Sequence, residues 1–123
     1  MKKLTIEELL GQENKQPSLN YESEVLNRKI DFERIQTSKI MNILKDVNSG
    51  AMEEFDSYLY VIYLSVPMFR NKQLQEKYDI KDSPYKVVEY IFQHNIFEII
   101  QFGEKIIDIY GISKDRVDKV KKQ

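Results

Sequence analysis

The chain has no cysteine and no tryptophan, one histidine, four glycines and three prolines in 123 residues. Without cysteine there are no disulfide staples and no thiolate metal sites, which suits a reducing cytosol. His94 alone cannot supply a two-histidine metal site, and no serine or cysteine motif surrounds it to make it a general base. It is read as a junction residue between two helices. The glycines, Gly11, Gly50, Gly103 and Gly111, never cluster, so no loop is built to cradle phosphate. Neither charge is in excess: 19 Lys and Arg against 20 Asp and Glu leave a formal net charge of −1, which gives a nucleic-acid backbone little to attract. The longest nearly apolar run, 58–66, falls far short of the ~20 residues that a membrane-spanning helix needs. Glu7 and Glu8 interrupt 4–10, where a signal peptide would need its apolar region, so a cytoplasmic location is expected. These absences argue against an enzyme and against any cofactor or metal.

What is present is a globular composition, with 41% hydrophobic residues against 32% charged, at a length that favours one domain with one core. The expected fold is mainly α, a small helical bundle with a short N-terminal β-hairpin. Residues 1–20 read as a short helix over 4–10, started by a Thr5/Glu8 capping box, followed by a linker over 11–18 with no large apolar side chain. The segment is either a frayed end or a tethered docking peptide. Residues 21–112 form the helical domain. It opens with a candidate hairpin at 21–35, where Ile30-Asp31-Phe32-Glu33 alternates apolar and polar and Asn27-Arg28 marks the turn.

Thr37 or Ser38 is expected to cap the next helix, with Ile40, Met41, Leu44 and Val47 as its apolar stripe and Gly50 at its end. Ser49 is placed to cap a helix over 51–66 that is apolar all round and stopped by Pro67, the expected centre of the bundle. Its acids, Glu53, Glu54 and Asp56, complement a helix start rather than pair for catalysis. Asn71 opens a short helix carrying Leu74 and Tyr78. Asp82-Ser83-Pro84 starts another with Val87, Val88, Ile91 and Phe92 on one side. Asn95 and Glu98 repeat the capping pattern before the last long helix, which Gly111 ends. The tail, 113–123, gathers Lys114, Arg116, Lys119, Lys121 and Lys122 but is diluted by Asp115 and Asp118.

Eight tyrosines and six phenylalanines are the richest feature. Any one ring is read first as core packing with its hydroxyl at the surface, but as a group they exceed that need, and tyrosine suits surfaces that a partner sometimes covers. The last long helix carries two apolar stripes, Ile96/Ile100/Ile107/Tyr110 and Ile99/Phe102/Ile106/Ile109. A small bundle is expected to bury one and leave the other for a partner. The candidate protein-binding residues are therefore Tyr60, Tyr63, Tyr90, Phe97, Phe102, Ile106 and Ile109.

Val66-Pro67-Met68-Phe69, Leu74-Gln75-Glu76-Lys77-Tyr78 and Lys81-Asp82-Ser83-Pro84 with Val87-Val88 resemble the middle of the XkdN-like phage tail assembly chaperones. Phe97, Ile107 and Gly111 keep the family's downstream spacing, and Ile30-Asp31-Phe32-Glu33-Arg34-Ile35 resembles its short strand. The resemblance runs over about 24–112. The chain departs from it in having no glycine-rich turn near Asn27 and in placing Ser83 before Pro84. The resemblance implies a chaperone that keeps the tape measure protein soluble in the cytoplasm of a bacterial host until tail-tube subunits replace it, and that is absent from the finished particle. It also implies that a longer frameshifted form is common, and Lys121-Lys122 suits a slippery coding run. Self-association is compatible with this role. The alternatives are a small helical adaptor or regulatory protein, contacting nucleic acid through its basic tail, and an enzyme of a kind the sequence does not reveal.

Overall fold

A computed structural model describes residues 1–11 and 19–111. The expected linker beyond Gly11 and the charged tail lie outside the described residues. Within them the mainly α fold with an antiparallel two-stranded hairpin is what forms. In chain order the elements are α1 (Ile6–Gly11), β1 (Asn20–Ser23), β2 (Arg28–Asp31), α2 (Thr37–Ser49), α3 (Glu54–Ser65), α4 (Lys72–Lys77), α5 (Val87–Ile91) and α6 (Ile96–Asp108), with 3-10 turns at Pro67–Arg70 and Pro84–Lys86.

The hairpin pairs Tyr21 with Ile30 and Ser23 with Arg28. Strand alternation sends Tyr21, Ser23, Ile30 and Phe32 inward. Its turn needs no glycine, because Asn27 itself adopts a left-handed φ of 51°, which asparagine tolerates better than most residues. Phe32 N–H donates to the Leu19 carbonyl at 3.0 Å, extending the ladder by one rung, and Glu33 N–H donates to the Ser65 carbonyl at 2.8 Å, tying the hairpin to the end of α3.

α3 is the central helix, with Tyr58, Leu59, Val61 and Ile62 buried and Tyr60, Tyr63 and Leu64 half-buried around it. It starts at Glu54 rather than 51, because Glu53 is still extended at φ −72°, ψ 148°. Ser49 does not cap it. The Ser49 hydroxyl instead donates to the Asp46 carbonyl and accepts from Ala51 N–H. Past Pro67, Arg70 Nη1 donates to the carbonyls of Tyr63 and Leu64 at 3.2 and 2.7 Å, satisfying acceptors that a helix end leaves open.

α2 also differs in detail. Its N-cap is Gln36, without a side-chain cap bond, and Thr37 is already helical. Ile40 and Ile43 face the core while Met41 is exposed, so Ile43 takes the place expected of Met41. Gly50 ends α2 at φ 83°. The Asp82-Ser83-Pro84 start is met in part, because Ser83 makes no side-chain cap bond and Pro84 opens a 3-10 turn ahead of α5, and α6 ends at Asp108, before Gly111. The caps at Asn71 and Thr5 form. The Asn71 side chain accepts from Gln73 N–H at 2.8 Å, Glu8 N–H donates to Thr5 Oγ1 at 3.2 Å, and Val87, Val88 and Phe92 are fully buried.

α6 packs along α3. On α6, Phe102 joins the hairpin to the end of α5. It stacks on Tyr21 at 4.3 Å between ring centres and meets Phe32 and Phe92 edge-on at 5.7 and 6.0 Å, geometries that aromatic quadrupoles favour.

Candidate functional site

The surface that stands out is built at the corner between α5 and α6. Two consecutive residues there, Gln93 and His94, take left-handed φ values of 54° and 59°. The corner is closed by Gln93 N–H on the Tyr90 carbonyl and His94 N–H on the Glu89 carbonyl, at 3.0 and 2.8 Å. His94 is thus a junction residue, as read from the sequence. Its Nδ1 lies 3.2 Å from Glu89 Oε1 and its ring meets Tyr90 edge-on at 4.8 Å. Tyr90 stacks in turn on Tyr78 at 5.5 Å. Asn95 then caps α6, its Oδ1 accepting from Glu98 N–H at 3.0 Å.

That cap fixes the first turn of α6, and the helical period does the rest. With 3.6 residues per turn, Phe97 falls nearly opposite the buried row Ile99–Phe102–Ile106, and Ile96 falls on its flank. Phe97 is 75% exposed, Ile96 58% and Tyr90 40%. Phe97 and Ile96 project about 100° apart from the capped start of α6, so Phe97, with Ile96 on the adjoining face, makes an apolar ledge of the kind that marks binding sites.

Beside the ledge, between β1 and α6, lies an open hollow of about 470 Å³, its walls including Asn20, Tyr21, Glu22, Phe97, Gln101 and Lys105. Its floor is held by Glu98, which is buried and accepts hydrogen bonds from the Ser23 hydroxyl and, at 3.1 Å, from Val25 N–H. With both carboxylate oxygens engaged, Glu98 locks the hairpin turn to α6. The Tyr21 hydroxyl reaches Gln101 Oε1 at 3.4 Å. Burial, and then the carboxylates of Glu98 and Glu24, push its pKa up to about 12. It therefore stays a neutral phenol near neutral pH. Tyr58, which donates to Glu54 Oε1 at 2.9 Å, is likewise shifted upward by burial and by that hydrogen bond. No three His, Cys, Asp or Glu side chains come together to hold a metal among the described residues. No helix among them is long and apolar enough to cross a membrane.

The seven expected binding residues separate into three groups. Phe97 and Tyr90 are exposed and belong to the corner. Tyr60, Tyr63 and Ile109 are half-buried against the core, and Tyr60 is further engaged by the Tyr85 ring at 5.5 Å and Lys39 Nζ at 5.3 Å. Phe102 and Ile106 are a correction, because both are fully buried. The aromatic cluster around Phe102 consumes the stripe assigned to a partner. The other stripe is also mostly used, with Ile100, Ile107 and Tyr110 half-buried and the Tyr110 hydroxyl accepting from Ile35 N–H at 2.8 Å. Only its first residue, Ile96, stays open.

Two features of the site have no local signal in the sequence: Ile96 looks like any other residue of its stripe, and Glu98 looks like no more than the partner of a cap. The alternation that turns Ser23 inward was the one available hint that a polar partner awaited it. A second set of exposed apolar side chains, Leu4, Ile6, Leu9 and Leu10, lies on and before α1, which buries none of its residues. Comparison with protein-family models, with curated proteins and with solved structures finds no match.

Proposed function

We propose that this chain is a polypeptide-binding protein of the tail-assembly-chaperone kind, which covers an apolar helical stripe of a long client and releases it during assembly. The observation that carries the reading is Phe97, three-quarters exposed on a capped helix, with Ile96 beside it. The ring sits on a helix whose backbone is already formed and has only two side-chain torsions to fix, so ordering it on binding costs little. A client helix presenting apolar residues at three- and four-residue spacing suits such a ledge.

The resemblance of 24–112 to the XkdN-like chaperones supports naming the client as a tape measure protein. One ledge per molecule is a small contact, and that suits the role. Weak sites repeated along a long client hold it by avidity, yet each is easily displaced by the next assembling subunit. The reading places the protein in the bacterial cytoplasm and outside the finished particle, with no catalytic step.

Co-expression tests it. With a long helical tape measure protein as client, the chain is expected to raise the client's soluble fraction and to co-purify with it. A client that stays insoluble, with no complex recovered, contradicts the reading.

A further inference from the structure

We infer that the ledge at Phe97, with the hollow beside it, is a docking site for the chain's own N-terminal helix, α1. The first observation is that α1 buries none of its residues among the described residues. Ile6, Leu9 and Leu10 recur at three- and four-residue spacing and form one apolar face, with Leu4 just ahead, yet all four are exposed. A helix of six residues pays the full nucleation cost for very few hydrogen bonds and is marginal in water on its own. Its Thr5 cap nevertheless specifies it locally, so the sequence has shaped an amphipathic helix for some apolar surface.

The second observation is where the chain re-enters the domain. Leu19 is anchored on the core, its carbonyl accepting from Phe32 N–H. Asn20, the next residue, lines the same hollow as Phe97. Eight Cα-to-Cα steps separate Gly11 from Leu19, and covalent geometry lets them span at most roughly 26–29 Å. Phe97 shares its hollow with Asn20, the residue after the tether's anchor, and a short connection turns a weak contact into one at high effective concentration.

The charges agree. Lys2 and Lys3 precede the apolar face of α1, and Glu22 and Glu24 stand on the hairpin wall of the hollow. Lys105 on the α6 wall is available to Glu7 or Glu8. α1 thereby presents what a client helix would present, and occupies the ledge until a client displaces it. This last step rests on the proposed function; the docking itself does not.

The absence of tryptophan makes Phe97→Trp a single fluorescent reporter on the ledge. In the full chain its emission is expected at short wavelength and shielded from a soluble quencher. A Leu9→Ser, Leu10→Ser variant, and a chain beginning at Leu19, are expected to shift it to longer wavelength. The shorter chain keeps every buried residue of the core. Adding a synthetic peptide of residues 1–11 to that shorter chain is expected to restore the original emission. Identical emission from all three chains overturns the proposal. So does a signal that fades on dilution of the full chain, since a second copy would then be the occupant.

A measurement on the unaltered chain stands behind the reporter: α1 amides are expected to exchange more slowly than in a Phe97→Ser variant, and equal rates overturn the proposal. If α1 holds the ledge nine-tenths of the time, its removal tightens binding of an amphipathic helical peptide about tenfold. A reporter that responds to α1 while no such peptide binds would sink the client reading and leave the docking intact.

Discussion

Gly103 of α6 sits against the ring of Tyr58 of α3, so close that a Cβ on Gly103 would lie 2.6 Å from Tyr58 Cδ1 and 2.7 Å from Tyr58 Cβ. A hydrogen at position 103 is what lets α3 and α6 approach, and Tyr58 is itself fixed by its hydrogen bond to Glu54. Gly103→Ala is therefore expected to destabilise the fold by about 1–3 kcal/mol, the usual cost of overpacking, although alanine is the better helix former. Urea unfolding checks this. An unchanged or raised midpoint would show that the helices part without strain.

Phe102 and Phe97 lie five positions apart on one helix and should behave oppositely. Truncating Phe102 to alanine opens a cavity among Tyr21, Phe32 and Phe92 and is expected to cost about 3–5 kcal/mol. Truncating Phe97 in the chain that begins at Leu19, where the ring is exposed to solvent, is expected to change stability by no more than about 0.5 kcal/mol. Thermal or urea denaturation of the two variants decides it, and similar losses would mean that Phe97 is part of the core in solution.

Glu98 fastens the hairpin through Ser23 and Val25. Glu98→Ala strands a buried hydroxyl and a backbone N–H, at a cost of about 1–3 kcal/mol. Hydrogen exchange at Val25 and along β1 and β2 is expected to speed up more than exchange within α3. Uniform acceleration across the chain would argue that the carboxylate does not act locally.

Tyr21 sets an alkaline limit. Its phenol titrates at about 12 in the fold against 10.0 in the unfolded chain. Between these values the unfolded state has lost the proton that the folded state keeps, so stability falls as pH rises from about 10 to about 12. Tyr58 acts in the same direction. Tyr21→Phe is expected to flatten part of this decline, as read from urea midpoints across that range. A variant that follows the parent's slope would contradict the shift.

Much of the fold was legible because its signals are local. The cap of Asn95 over Glu98, the Asn71 cap, Pro67 behind α3 and Gly50 behind α2 each act within a few residues of themselves. The alternation around Ile30 gave the hairpin, and the all-round apolar run gave the central helix. What stayed hidden depends on contacts distant in sequence. Which stripe of α6 becomes core is decided by Tyr21 and Phe32, some seventy or eighty positions earlier, so Phe102 and Ile106 were placed on the wrong surface. The left-handed pair Gln93–His94, which orients α6 and so exposes Phe97, contains no glycine to announce it. Of the candidate site, Phe97 and Tyr90 were readable as aromatic rings on helices. That Ile96 would be the one open residue of its stripe required knowing where the helix begins to leave the core.

The account rests on Phe97 serving a polypeptide rather than the fold. Titration of an amphipathic helical peptide from a tape measure protein against the chain beginning at Leu19 and its Phe97→Ala variant, followed by calorimetry, tests this directly. The account predicts a variant as stable as the parent whose affinity falls about thirtyfold, the loss of a central anchor worth about 2 kcal/mol. Equal affinities in two equally folded proteins would contradict it.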